Sequence, residues 1–148
     1  VGNARAALEL TIEAIRGRST SYTALRMRDL QAVQLRVART GAMIDAARLV
    51  VREDCLEADR LAAAGQVPSL EDKLRYRRNV AWAVEQCTEA VDSLHALAGA
   101  NGIYDRYPIQ RLFRDQHALA AHIGFSLDAQ GAPWGLVALG GEFSSPTM

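Results

Sequence analysis

The 148-residue chain carries 17 basic and 17 acidic side chains, so no net charge draws it to nucleic acid or to an anionic membrane. Its two cysteines, Cys55 and Cys87, are too few for a disulfide framework or a zinc site, and a reducing cytoplasm is the expected setting. No apolar run approaches the roughly 18 residues of a spanning helix, which argues against a membrane role.

The chain starts at Val1 directly in a helical pattern, as a piece of a longer protein would. The first helix is expected over about residues 4 to 17, with Ala7, Leu8, Leu10, Ile12 and Ile15 as its apolar residues and Gly17 as its stop. The segment "RSTSYTALRMRD" (18–29) has no helical period. A second helix is expected from Asp29 as N-cap to beyond Arg60, with Leu30, Val33, Val37, Ile44, Val51 and Cys55 on one stripe. After a short connection, Ser69 caps a third helix whose first turn holds Glu71 and Asp72, where the helix dipole favours acids. Leu74, Ala81, Val84, Thr88, Val91, His95 and Ala98 form its stripe down to Gly99. Each of these two helices would be about 45 Å long at 1.5 Å per residue, and the short connection makes them antiparallel. A fourth helix is expected over residues 109 to 125, followed by a Gly/Pro-rich tail. One apolar stripe per helix predicts an all-α, antiparallel four-helix bundle over residues 1–126, with an irregular tail over 127–148.

The stretch "RLFRDQHALAAH" (111–122) concentrates the polar chemistry. On a continuous helix at about 100° per residue, Arg111, Asp115 and His122 fall within about 40° of one another, and His117 lies well away. The two histidines therefore cannot share a metal from this helix, and no Cys/His cluster stands elsewhere in the sequence. Arg111 and Asp115 read as a one-turn salt bridge. His95 and His117 read as structural, and His122 is open between an edge histidine and a proton-handling group. "GANG" (99–102) follows no strand and is no dinucleotide fingerprint.

Three segments carry a family resemblance. "DLQAVQLRVARTGAMIDAARLVVRE" (29–53), with its Gln-x-x-Gln start, resembles a helix of the acyl-CoA dehydrogenase C-terminal domain. "LAGANGIYDRYPIQRLFRD" (97–115) is similar to that superfamily's glycine-containing loop and Arg-Asp pair. "HIGFSLDAQGAPWGLVALGGE" (122–142) resembles the branch of two-component, flavin-dependent monooxygenases. Dehydrogenases that place their catalytic carboxylate after the Arg-Asp pair have Glu-Gly-Thr where this chain has His122-Ile123-Gly124, and isoleucine cannot abstract a proton. Where dehydrogenases have an Arg and a Phe-Gly pair, this chain has Thr20 and Thr23-Ala24.

The resemblance implies a hydroxylase that uses reduced FMN or FAD, delivered by a separate flavin reductase, and O₂ to form a C4a-hydroperoxyflavin. That species would oxygenate a small, electron-rich, aromatic substrate. His122 is the implied catalytic residue, and Arg18, Ser21 and Asn101 are the implied flavin contacts, with no metal. It further implies a homotetramer, and amino-terminal helical and β domains outside this sequence, so that the fragment alone would be inactive. Two other readings stay open here: an acyl-CoA dehydrogenase or oxidase with its base elsewhere, and a non-catalytic oligomerisation bundle.

Overall fold

The computed structural model describes residues 1–21 and 23–145. Five α-helices run through them: α1 (Gly2–Arg16), α2 (Gln31–Ala63), α3 (Leu70–Ala98), α4 (Ile109–Ala120) and α5 (Leu127–Ala138). Single 3₁₀ turns occupy Met27–Asp29, Gly99–Ile103 and Ile123–Phe125. The all-α bundle is as the sequence predicts. No helix among the described residues is long and apolar enough to cross a membrane.

Helix α3 is the axis, packing against α1, α2, α4 and α5. Its Ala83, Cys87, Ala90, Val91 and Leu94 meet Ala4, Ala7 and Leu8 of α1, Ile44 and Ala47 of α2, and Ile109 and Leu112 of α4 in one buried core. The many alanines let the helix backbones approach closely, and contiguous burial of this apolar surface supplies most of the folding drive.

The α2–α3 hairpin is punctuated by local chemistry. Gly65 takes φ +66°, a left-handed conformation that favours glycine, and the Gln66 N–H donates to Leu61 O at 2.9 Å, closing the last turn of α2. At the start of α3 the Ser69 hydroxyl accepts from the Asp72 N–H at 3.1 Å while the Asp72 carboxylate accepts from the Ser69 N–H, a reciprocal cap. The Ser69 hydroxyl also donates to the Asp72 carboxylate, which holds that carboxyl below its ordinary range.

Near the hairpin tip a charge is buried. Asp54 is 6% exposed and accepts from Arg75 Nη1 at 2.9 Å and from Asn79 Nδ2 at 2.8 Å. Arg75 Nη2 reaches Glu57 and, at 3.3 Å, Asp72, so its guanidinium stays firmly charged. A second polar chain crosses the opposite part of the bundle. Gln116, 2% exposed, accepts from Asn3 at 3.1 Å and donates to the Thr88 hydroxyl at 3.1 Å; Thr88 in turn donates to Val84 O at 2.8 Å. This chain joins α1, α4 and α3, and gives the oxygen and the nitrogen of the buried amide a partner each.

Three expectations need correction. Asp29 does not cap α2: it closes the 3₁₀ turn with its N–H on Arg26 O, its carboxylate faces Arg28 at 3.7 Å, and Leu30 is the N-cap, with no side-chain cap bond. The fourth helix stops at Ala120 rather than running to residue 125, because the chain turns into the 3₁₀ segment at Ile123–Phe125. The tail over 127–148 is not irregular throughout, since Leu127–Ala138 is helical. Gly131, Pro133 and Gly135 lower helix propensity there, but tertiary docking overrides it. Ser126 caps α5 by accepting from the Ala129 N–H at 3.4 Å. The Arg78 guanidinium lies 3.9 Å above the Trp134 ring centre, and Gly131 sits where a Cβ would come within 3.9 Å of the Arg78 stem and 3.2 Å of Leu127.

Candidate active site

Helix α4 separates two groups of candidate residues. Beyond its C-terminal end, His122 is exposed and serves as N-cap of the 3₁₀ turn, φ −72°, ψ 131°. It is therefore off the helical wheel that grouped it with Arg111 and Asp115. Those two remain a solvent-exposed pair at 3.9 Å, worth little to stability.

The His122 imidazole folds back over its own turn. The Gly124 N–H donates to His122 Nδ1 at 3.0 Å, and the Phe125 ring centre lies 5.6 Å from the imidazole centre. A backbone N–H can only donate, so Nδ1 is the acceptor and the neutral ring carries its proton on Nε2. Glycine at 124 permits this approach, since a Cβ there would stand 3.0 Å from Nδ1. The outward Nε2–H meets no acceptor among the described residues.

At the other end of α4, a cavity of about 600 Å³ opens between α1, the end of α3 and the loop into α4. Leu10, Ile15, Tyr107 and Ile109 give it apolar walls, and Arg18 and Asn101 give it polar ones. Arg18 Nη1 donates to Leu97 O at 3.3 Å and Ala98 O at 3.2 Å, so the C-terminal carbonyls of α3 fix the guanidinium. Its remaining N–H groups and the Asn101 amide have no protein acceptor among the described residues. A fixed cation and a free amide on apolar walls suit a planar, anionic, partly apolar group such as a reduced flavin or its phosphate. Ser21 is exposed in the 18–29 loop and lies outside this lining.

His95 sets the loop that carries Asn101. Its Nε2 bonds Gly102 O at 3.0 Å, and its ring stacks on Phe113 with centres 4.3 Å apart. Phe113 in turn meets His117, whose Nε2 contacts Asp92 at 2.7 Å. Both histidines are thus structural, as the sequence suggests. A Cβ on Gly102 would stand 2.8 Å from His95 Nε2. Gly102→Ala is expected to displace the loop and cost about 1–3 kcal/mol by overpacking, measured by chemical denaturation.

The structure brings Arg18 and Asn101 to one cavity and keeps His122 away from it. The 12 residues of α4 alone separate them by about 18 Å at 1.5 Å per residue. Tyr107, a cavity wall, was missed by sequence reading because a tyrosine before a proline carries no signal beyond a loop.

The family described as acyl-CoA dehydrogenase, C-terminal domain, matches residues 1–127. The chain belongs to that family. Among its relatives, the oxygenase component of an FADH₂-dependent resorcinol hydroxylase from Rhizobium sp. is 33% identical over 96% of this chain and 37% of its own length. The oxygenase component of p-hydroxyphenylacetate 3-hydroxylase from Acinetobacter baumannii is 34% identical over 100% of this chain and 35% of its own. The solved structure of XiaF from Streptomyces sp., in complex with FADH₂ and glycerol, superposes with a TM-score of 0.91 at 27% identity, covering 98% of this chain and 37% of that one. An acyl-CoA dehydrogenase from Geobacillus kaustophilus shares the fold, with a TM-score of 0.74 at 19% identity over 92% of this chain and 33% of that one. The chain spans about a third of the length of these relatives, and this acyl-CoA dehydrogenase C-terminal domain accounts for a bundle only.

Proposed function

We propose that this chain is the C-terminal bundle of a reduced-flavin-dependent monooxygenase that hydroxylates a small aromatic substrate, with amino-terminal helical and β domains completing the enzyme. The observation that carries the reading is the end-to-end similarity to two oxygenase components whose names specify phenolic substrates, at 33% and 34% identity. His122-Ile123-Gly124, in the place where the dehydrogenases carry their acid, agrees with it.

Reduced FMN or FAD, when bound, supplies the activation of O₂ for transfer of one oxygen atom. Arg18 and Asn101 would hold the cofactor through the guanidinium and the amide. His122 holds a proton at Nε2 and donates a hydrogen bond to an oxygen acceptor. Stabilising a phenolate oxygen in this way keeps the ring electron-rich. Acting as a base at Nε2 would require the opposite tautomer and the loss of the Gly124 hydrogen bond. Because α4 stands between His122 and the cavity, the two ends of one bundle would serve different parts of the cofactor or different subunits of a homotetramer. The solvent face of α2, with Leu35 and Leu49 62% and 60% exposed, supports such an assembly. The unpaired thiols of Cys55 and Cys87 fit a cytoplasmic protein, with reduced flavin coming from a reductase partner.

The test uses the complete protein with chemically reduced flavin, a phenol series and ¹⁸O₂. One labelled oxygen atom in the product is expected; bleaching of bound oxidised flavin by an acyl-CoA under anaerobic conditions, with no hydroxylation, would overturn the reading. Arg18→Met is expected to weaken reduced-flavin binding about tenfold, or about 1.4 kcal/mol, in an anaerobic titration. Ser21→Ala, outside the cavity, should leave that titration unchanged.

A further inference from the structure

The 123–124 peptide plane joins two hydrogen bonds that the reaction scheme above does not use together. Its N–H, on Gly124, donates to His122 Nδ1 at 3.0 Å and so fixes which imidazole nitrogen carries the proton. Its C=O, on Ile123, accepts from the side-chain amide of Gln130 at 3.1 Å and from the Ser126 N–H at 3.3 Å. A trans peptide unit is rigid, with C=O and N–H pointing in opposite directions. Whatever holds the oxygen therefore aims the N–H.

We infer that Gln130 is a positioning residue that selects the His122 tautomer through the 123–124 peptide plane. Three observations carry this. His122 and Ile123 are both exposed, and beside the Phe125 ring of its own turn the imidazole makes one hydrogen bond among the described residues, so packing from outside the turn does not set the ring. Gln130 is one turn into α5 and, among the described residues, makes its one side-chain hydrogen bond to the Ile123 carbonyl. Donation to that carbonyl also polarises the peptide and strengthens the Gly124 N–H as a donor.

Helix α5 delivers Gln130. Among the described residues it has no fully buried member and rests mainly on α3 and the His122 turn, held by Leu127, the Ser126 cap and the Arg78–Trp134 contact at 3.9 Å. The tail thus acts on the proposed site without contributing a reacting group. The inference rests on the proposed function only where it concerns turnover; the tautomer itself is measurable without any reaction.

The test is a long-range ¹H–¹⁵N spectrum of His122 in the complete protein, read alongside turnover with reduced flavin and a phenol. The unaltered protein should show widely separated ¹⁵N shifts, with the proton on Nε2. Gln130→Met keeps the length of the side chain and removes the donor; the two shifts should move together as both tautomers populate. Hydroxylation should fall about tenfold, the scale expected when a reacting group loses its orientation, with thermal stability and flavin affinity unchanged. Gln130→Lys restores a donor and should restore both the spectrum and the rate. Trp134→Leu, which loosens α5 and leaves Gln130 in place, should reproduce the spectral change and decides the matter if Gln130→Met fails to fold. A folded Gln130→Met protein with the unaltered spectrum would overturn the inference. Converging shifts with undiminished hydroxylation would support the bracing by Gln130 and overturn instead the role of His122 in the reaction.

Discussion

His122→Ala in the complete protein, supplied with chemically reduced flavin and a phenol, is expected to lower hydroxylation at least about a hundredfold, the lower end of what a positioned proton-handling group contributes. Oxygen consumption should continue, with hydrogen peroxide released in place of product. The fold should not suffer, because the imidazole is exposed and, among the described residues, bonds within its own turn. A second substitution separates the two roles a histidine could play. His122→Gln carries an amide N–H at about the reach of Nε2 but has no basic nitrogen. With Nδ1 engaged by Gly124, the structure makes Nε2 a donor, so His122→Gln should recover much of the rate. A general base at this position would leave Gln as inactive as Ala. Product and peroxide yields measured side by side check both outcomes.

Arg75→Met is expected to cost about 3–5 kcal/mol, the range for removing one partner of a buried ion pair. For a chain of this size that lowers the thermal midpoint by about 10 °C, at roughly 2–4 °C per kcal/mol. The argument turns on what stays behind. Asp54 is buried with two donors, Arg75 and Asn79; without the guanidinium its charge keeps one neutral partner. Glu57 and Asp72 lose the same cation, and two acids then face the hairpin tip uncompensated. Arg75→Met combined with Asp54→Leu should be less destabilised than Arg75→Met alone, since the most deeply buried of the three acids is removed with its partner and only the more exposed Glu57 and Asp72 lose a cation. Acid should loosen the same region. The Asp72 carboxyl is held below its ordinary range by the Ser69 hydroxyl, so its contribution is present above the unfolded value and is lost as pH falls through the lower folded one. Calorimetry across acid pH measures this.

The long helices were readable because their signals are local. A serine with acids behind it starts α3 and glycines end α1 and α3, but the stripes hold only in part. Val33 and Ile44 of α2 and Leu74, Ala81 and Val91 of α3 are buried, while Ala83, Cys87, Ala90 and Leu94 carry the α3 core beside the expected stripe. Where a residue's state depends on a partner distant in sequence, the pattern misleads. Cys55 sits on the apparent stripe of α2 and is exposed, while its neighbour Asp54 is buried, because Arg75 waits 21 residues further on. Gln116, a polar residue on no apolar stripe, is buried between Asn3 and Thr88. The tail looks irregular from its glycines and proline, and becomes a helix because α3 offers Arg78 to Trp134. The same limit applied at the site. Arg18 and Asn101 stand in loops and line one cavity, but a wheel drawn through Ala121 puts His122 on a helix that has already ended. Its tautomer, and the glutamine behind it, follow from the turn of the chain at Ile123, which no helical period encodes.

The Asn3 amide that donates to Leu112 O at 2.8 Å spans 109 residues of chain. During synthesis at about 5–20 residues per second, α1 leaves the ribosome about 5–20 s before its partner on α4 exists. Over that interval Ala4, Ala7 and Leu8 have no α4 to cover them. The α2–α3 hairpin, closed by a short turn, can form in the meantime and offer α3 as a temporary bed for α1. The order of synthesis thus makes the hairpin the guardian of the nascent chain, and a slowly translated stretch between α1 and α3 the place where misassembly would begin.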